Sequence, residues 1–191
     1  LASLTKPIAT ATSIMMLIDQ KKVAPDAAVS AYWPEFAQNG KDQITIRHLL
    51  THTPGLIADN PISDYQDTPE SCLNRIAALK PTAEPGQEFI YSDVGFIVLG
   101  KVIRNVTGLE VNEFSETFIF QPLGMAETGY LPREELRARA ALTEQREGRW
   151  MQGEVHDPRA WALGGVAGHA GLFSTADDLS RYAVMMLNRG S

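Results

Sequence analysis

The sequence predicts a mostly helical domain, and three observations carry that expectation. Long stretches repeat apolar residues at helical spacing and begin with good cap residues. Strand signals are few. Residues 164–171 hold four glycines in eight positions, which marks a loop that bends sharply or approaches another backbone closely.

The first element is expected over residues 3–22. Ser3 is a good N-cap, Pro7 fits the first turn, and the run that follows is apolar on nearly every face, the mark of a buried helix. Lys21 and Lys22 suit its C-terminal dipole. A short amphipathic segment runs from Pro25 to Pro34. Thr45 opens a short helix over residues 44–52, which Thr53-Pro54-Gly55 stops. Residues 56–69 read as a polar loop, 72–79 as a helix and 81–86 as a break. Phe89-Ile90-Tyr91 is short and extended, and leads into a helix over 94–106 that ends at Gly108. Another helix covers 111–119, and Pro122-Leu123-Gly124-Met125 is a turn. Residues 136–153 fit strand or loop equally well. Thr175 caps a last helix to about Asn188, with Asp177 and Asp178 in its first turn.

A length of 191 residues suits one domain or most of one, and the hydrophobic and charged fractions of 44% and 21% are those of a globular chain. A net charge of −6 argues against a nucleic-acid binder. Cys72 has no second cysteine to pair with. The longest apolar stretch, from Ile8 to Ile18, is far shorter than the roughly 20 residues a membrane span needs. Leu1-Ala2-Ser3 shows neither an initiator Met nor a signal-peptide pattern. The chain is therefore expected to be part of a longer protein, and the missing signal says nothing of compartment.

Two clusters carry chemistry. Ser3-Leu4-Thr5-Lys6 is an S-x-x-K motif at the start of the first helix, and i, i+3 spacing puts the Lys amine within reach of the Ser hydroxyl. A Ser hydroxyl needs a neighbouring base to attack a carbonyl. A nearly all-apolar helix should carry a Lys in its first turn only if that Lys has a partner. Tyr91-Ser92-Asp93 directly precedes a helix, and a Tyr hydroxyl can move protons as general acid or base. His48 and His52 sit at i, i+4, as in some zinc sites, but no acidic third ligand accompanies them. They read as structural, and neither a metal nor an organic cofactor is expected.

Five ordered blocks carry a resemblance: Ala-Ser-Leu-Thr-Lys-Pro, Ile-Thr-Ile-Arg-His-Leu-Leu-Thr-His-Thr-Pro-Gly-Leu, Pro-Gly-Gln-Glu-Phe-Ile-Tyr-Ser-Asp, Gln-Pro-Leu-Gly-Met and Gly-Leu-Phe-Ser-Thr-Ala-Asp-Asp-Leu. Across residues 2–188 the chain resembles the family of class C β-lactamases, serine D-Ala-D-Ala peptidases and related esterases. The resemblance implies an α/β fold, a helical subdomain beside an antiparallel sheet. Residues 1–191 would then be a partial domain holding mostly the helical part, with its N-terminal strands and its C-terminal third-motif strands absent. It also implies hydrolysis of an amide or ester (a β-lactam, a D-Ala-D-Ala peptide or a small ester) through acylation of Ser3. Lys6 would be the proton partner of Ser3, and Tyr91 would relay protons to the leaving group. The partner is a small-molecule or peptidoglycan-like substrate, and the implied location is periplasmic or secreted. A non-catalytic homologue that binds penicillin-like or peptidoglycan-like ligands is the alternative.

The sequence departs from the family pattern at two places. Asp93 stands where β-lactamases carry Asn, and an ionised Asp only accepts hydrogen bonds. Asp93 therefore suits Lys6 or an amine-bearing substrate, and it would shift the role of base toward Tyr91. It favours esters or peptides over β-lactams. The family's third motif, K-T-G or H-x-G on a strand, is expected outside residues 1–191. His169-Ala170-Gly171 imitates it but follows Tyr91 too closely, so His169 is read as a loop residue whose glycine-rich loop lines the substrate cleft.

Overall fold

The computed structural model describes residues 1–190. The first helical segment is one continuous rod built from three kinds of turn: a 3₁₀ turn at Ala2–Leu4, a π-helical stretch at Lys6–Ala11 and α1 at Thr12–Asp19. Ser3 does not cap it. Ser3 lies within the 3₁₀ turn, no side chain bonds a free amide there, and its hydroxyl turns to Lys6 instead. The rod also ends earlier than its apolar pattern suggests, because Lys21 adopts a left-handed φ of +58°. One face is buried (Ile8, Ala9, Thr10, Ser13, Ile14 and Leu17), whereas Met15 is 56% exposed. The far side borders a groove of about 820 Å³ lined by Met16, Phe118, Leu123, Met185 and Met186.

The remaining helices follow their cap signals. Thr45 caps α2, Ile46–Leu50, in a full capping box with His48. Thr68 caps α3, Pro69–Ala77, which starts three residues before the sequence pattern does because Pro69 fits its first turn. The spine is α4, Asp93–Thr107, capped by Ser92 and closed by Gly108 at φ +76°. α5, Val111–Ser115, continues as a π-helical stretch to Phe120. α4 packs against the Ser3–Lys6 rod and against α2, α3 and α5. The shared core holds Ile14, Leu17, Leu49, Val98, Leu99, Val102 and Phe114. Burying each such side chain stabilises the fold by about 1.5–3 kcal/mol.

Strands are few and short. β1, Gly129–Tyr130, pairs antiparallel with β4, Leu172–Phe173, with Tyr130 opposite Leu172. The undecided stretch resolves into α6, Glu134–Arg137, and a hairpin of β2, Leu142–Arg146, with β3, Arg149–Gln152. Glu147 and Gly148 both have positive φ, the geometry of a type I′ turn. α7, Pro158–Ala162, is capped by Asp157, and α8, Ala176–Leu187, by Thr175.

The glycine-rich loop lies directly on α4. A Cβ at Gly168 would sit 2.0 Å from the Phe96 carbonyl oxygen, and one at Gly100 would sit 3.3 Å from the Gly168 nitrogen. Only glycine permits that approach. The rod then holds the loop: Thr10 Oγ1 donates to Gly168 O at 2.7 Å, and Leu172 N donates to Thr5 Oγ1 at 3.1 Å.

Candidate active site

The site forms where the start of the rod, the start of α4 and the glycine-rich loop meet. Ala2 has φ +47°, uncommon for a residue with a Cβ, and the next residue, Ser3, is exposed. One turn on, Lys6 is 3% exposed. Its Nζ donates to Ser3 Oγ at 3.0 Å and to the His169 carbonyl at 3.3 Å, and lies 2.5 Å from Asp93 Oδ1. An ammonium has three donors and no acceptor, and here it meets three acceptors. The expected partner of Lys6 is thus threefold.

Asp93 is placed by the way α4 begins. Ser92 takes the capping role: its Oγ accepts from Gly95 N at 3.1 Å and donates to Ile57 O at 2.8 Å. Asp93 is left as the first residue of the helix, free to face Lys6. Its Oδ1 is buried and has no hydrogen-bond partner apart from that ion pair.

Tyr91 is 47% exposed on the irregular segment before α4, and Lys6 Nζ lies 4.8 Å from the centre of its ring. Ser3, Lys6, Tyr91 and Asp93 therefore meet in one place. His52 closes the back of this group, with its ring 4.5 Å from that of Tyr91 and 5.1 Å from that of Phe96.

His169 enters through its backbone. Its side chain is 1% exposed and turned to Asp157, with Nε2 2.9 Å from Asp157 Oδ1. A carboxylate only accepts, so Nε2 carries the proton. Nδ1 is buried without a partner. Asp157 also accepts from Ala160 N at 2.7 Å as the cap of α7. Burial pushes the Asp157 carboxyl up, but the hydrogen bond and charge of His169, with smaller help from Ala160 N and Arg159, outweigh it and hold the group down at about 2.

The folded value for Asp157 lies below the ordinary 3.8, so its contribution to stability is present above pH 3.8 and fades as pH falls through about 2. Allowing for partial solvent screening, that contribution is about 1–2 kcal/mol. Chemical denaturation of the wild type and of Asp157→Asn should therefore show a stability gap at pH 5 that narrows by this amount toward pH 2. A gap that does not change with pH would remove the ionised Asp157 from the account.

Asp93, Asp157 and His169 form the single set of three potential metal-ligand residues found among the described residues, with ligand atoms within 4.8 Å of one another. In this arrangement Asp93 faces the Lys6 ammonium, and Asp157 engages His169 and the Ala160 amide. No helix among the described residues is long and apolar enough to cross a membrane.

Two contributors were not singled out by sequence reasoning. Asp157 sits in a plain Asp-Pro cap signal and carries no mark of its pairing with His169, which only the folded loop creates. His52 reads as structural in the sequence because its i, i+4 pairing with His48 lacks an acidic third ligand. Its left-handed φ of +57° turns it toward Tyr91 instead, and no spacing rule shows that.

The chain belongs to the beta-lactamase family, a family of serine hydrolases, since the family model with that description matches residues 1–191. It is 32% identical over 224 aligned positions to the N-acetylmuramyl-L-alanine amidase of Bacillus subtilis, covering all of this chain and 50% of that protein. It is 31% identical over 220 positions to a putative D-alanyl-D-alanine carboxypeptidase of Salmonella agona, covering all of this chain and 51% of the relative. The chain thus spans about half the length of the curated relatives it matches. Among solved structures, the octameric penicillin-binding protein homologue from Pyrococcus abyssi superimposes with a TM-score of 0.78 at 26% identity, over all of this chain and 45% of that one. A class C beta-lactamase superimposes at 0.81 and 20% identity over 99% of this chain and 50% of its own, a likeness of fold alone. The expected β-lactamase-like fold and family are both found.

Proposed function

We propose that this chain carries the nucleophile and proton-transfer groups of a serine hydrolase that cleaves an amide or ester through an acyl-enzyme on Ser3. One observation carries the reading: an exposed Ser3 Oγ lies 3.0 Å from Nζ of a buried Lys6. That distance suits transfer of the hydroxyl proton to a neighbouring base. Ser3 Oγ attacks the substrate carbonyl and passes its proton to Lys6 in the fraction of molecules whose amine is neutral. Tyr91, whose ring lies beside the same Nζ, relays that proton from Lys6 to the leaving group. Water then attacks the acyl-Ser3 ester and regenerates the hydroxyl.

The substrate class we favour is an amide of peptidoglycan type, with small esters as surrogates. The names of the amidase and carboxypeptidase relatives support it, as does an acidic Asp93, which offers no donor to a β-lactam side-chain carbonyl. Such a substrate places the protein in the periplasm or outside the cell. We also propose that residues 1–191 form the helical half of a longer domain. The apolar groove between α1 and α8 supports this, because apolar surface of that extent is normally covered.

Acylation and turnover should be measured separately on full-length protein with a muramyl-alanine amide, a D-Ala-D-Ala peptide, a short acyl ester and a fluorescent penicillin. Turnover of an amide or ester is expected. Stable acylation without turnover on every substrate would instead identify a ligand-binding homologue.

A further inference from the structure

A single residue, His52, brackets Tyr91 on three sides. The Ile90 N–H donates to the His52 carbonyl at 2.9 Å, fixing the backbone at the residue before Tyr91. The Ser92 N–H donates to His52 Nδ1 at 3.0 Å, fixing the peptide after it. The imidazole itself lies against the Tyr91 ring, with centroids 4.5 Å apart and planes tilted by 31°. Phe96 and Phe89 hold the imidazole in turn, at 5.1 and 5.8 Å. Tyr91 sits on an irregular segment half open to solvent, where no helix or strand would otherwise fix its direction.

We infer that His52 is a positioning residue for Tyr91, and that it holds Tyr91 only while its imidazole is neutral. The hydrogen bond from Ser92 decides the tautomer. Nδ1 accepts, so it carries no proton, and the neutral ring is protonated on Nε2. A second proton would point an N–H at the Ser92 N–H, break that bond and place a cation beside Lys6. The charged and titratable groups facing the ring are Lys6 on the rod, Asp93 at the start of α4 and Tyr91 itself. Burial pushes the imidazole below its ordinary 6.5, Lys6 pushes it further, and Asp93 works the other way. The neutral, holding form therefore prevails at neutral pH and is lost only in acid. A sequence-distant loop residue thereby couples ambient pH to the direction of the proton relay.

The catalytic consequence rests on the role proposed for Tyr91, and the experiment separates the two claims. In full-length protein labelled at tyrosine, the Tyr91 ring resonances, assigned with Tyr91→Phe, should titrate with a midpoint below pH 6.5. In His52→Asn they should not, since Asn tolerates the left-handed backbone and offers an acceptor that does not titrate. In kinetics, His52→Phe keeps a ring but loses the acceptor, and should lower kcat about 10-fold or more with little change in KM. His52→Asn should keep more of kcat than His52→Phe does. With Tyr91→Phe already present, His52→Phe should cost less than twofold, because the two residues act as one unit. If His52→Phe does not fold, the wild-type titration and His52→Asn still decide. Tyr91 resonances that ignore pH in the wild type, or that titrate unchanged in His52→Asn, would overturn the inference. A wild-type kcat for Tyr91→Phe alongside a titrating Tyr91 ring would instead overturn the role given to Tyr91 and leave its positioning by His52 intact.

Discussion

Lys6→Arg in the full-length protein should lower the acylation rate by at least about 10²-fold, the usual scale for a positioned acid–base group. The substitution keeps the charge and so separates charge from chemistry. Arginine stays protonated in proteins and cannot take a proton from Ser3. Its planar fork also cannot put one nitrogen against Ser3 Oγ, Asp93 Oδ1 and the His169 carbonyl together, as Lys6 Nζ does. Stopped-flow acylation with an activated ester, checked against a thermal melt of the variant, measures the effect. Near-normal acylation would show that positive charge alone suffices and would remove Lys6 as a base.

Asp93→Asn should raise activity on β-lactams relative to simple esters. The carboxylate lies 2.5 Å from Lys6 Nζ and can only accept hydrogen bonds. The amide introduced also supplies the donor that Asp93 lacks. Asp93 does not cap α4, a role Ser92 fills, so loss of a cap cannot mimic the result. Acylation rates of both proteins on one ester and one penicillin test this. A ratio that does not move would take Asp93 out of the site.

What the sequence made legible follows from how local each signal is. Thr45, Gly108 and Thr175 set helix ends through neighbours within a turn, and each was readable. The S-x-x-K spacing likewise fixed the Ser3–Lys6 contact, because i, i+3 residues share a helix face. Ser3 as a cap failed because Lys6, on the same helix face, competes for its hydroxyl. The β2–β3 hairpin was opaque because β2 is exposed along almost its whole length, which leaves no alternation to read, and its turn is Glu147-Gly148 rather than a familiar Asn-Gly. The pairing of Asp157 with His169 and the seat of His52 against Tyr91 join segments far apart in the chain or turned by a left-handed residue. Neither leaves a periodic trace.

The central claim is that Ser3 is the nucleophile, and locating the acyl group tests it most directly. Full-length protein treated with a serine-directed acylating probe, quenched in acid and digested, should show the probe's mass on the peptide that contains Ser3. Fragmentation should place the mass on Ser3 itself, and Ser3→Ala should abolish it. An adduct on any other residue, or labelling that survives in Ser3→Ala, would contradict the account.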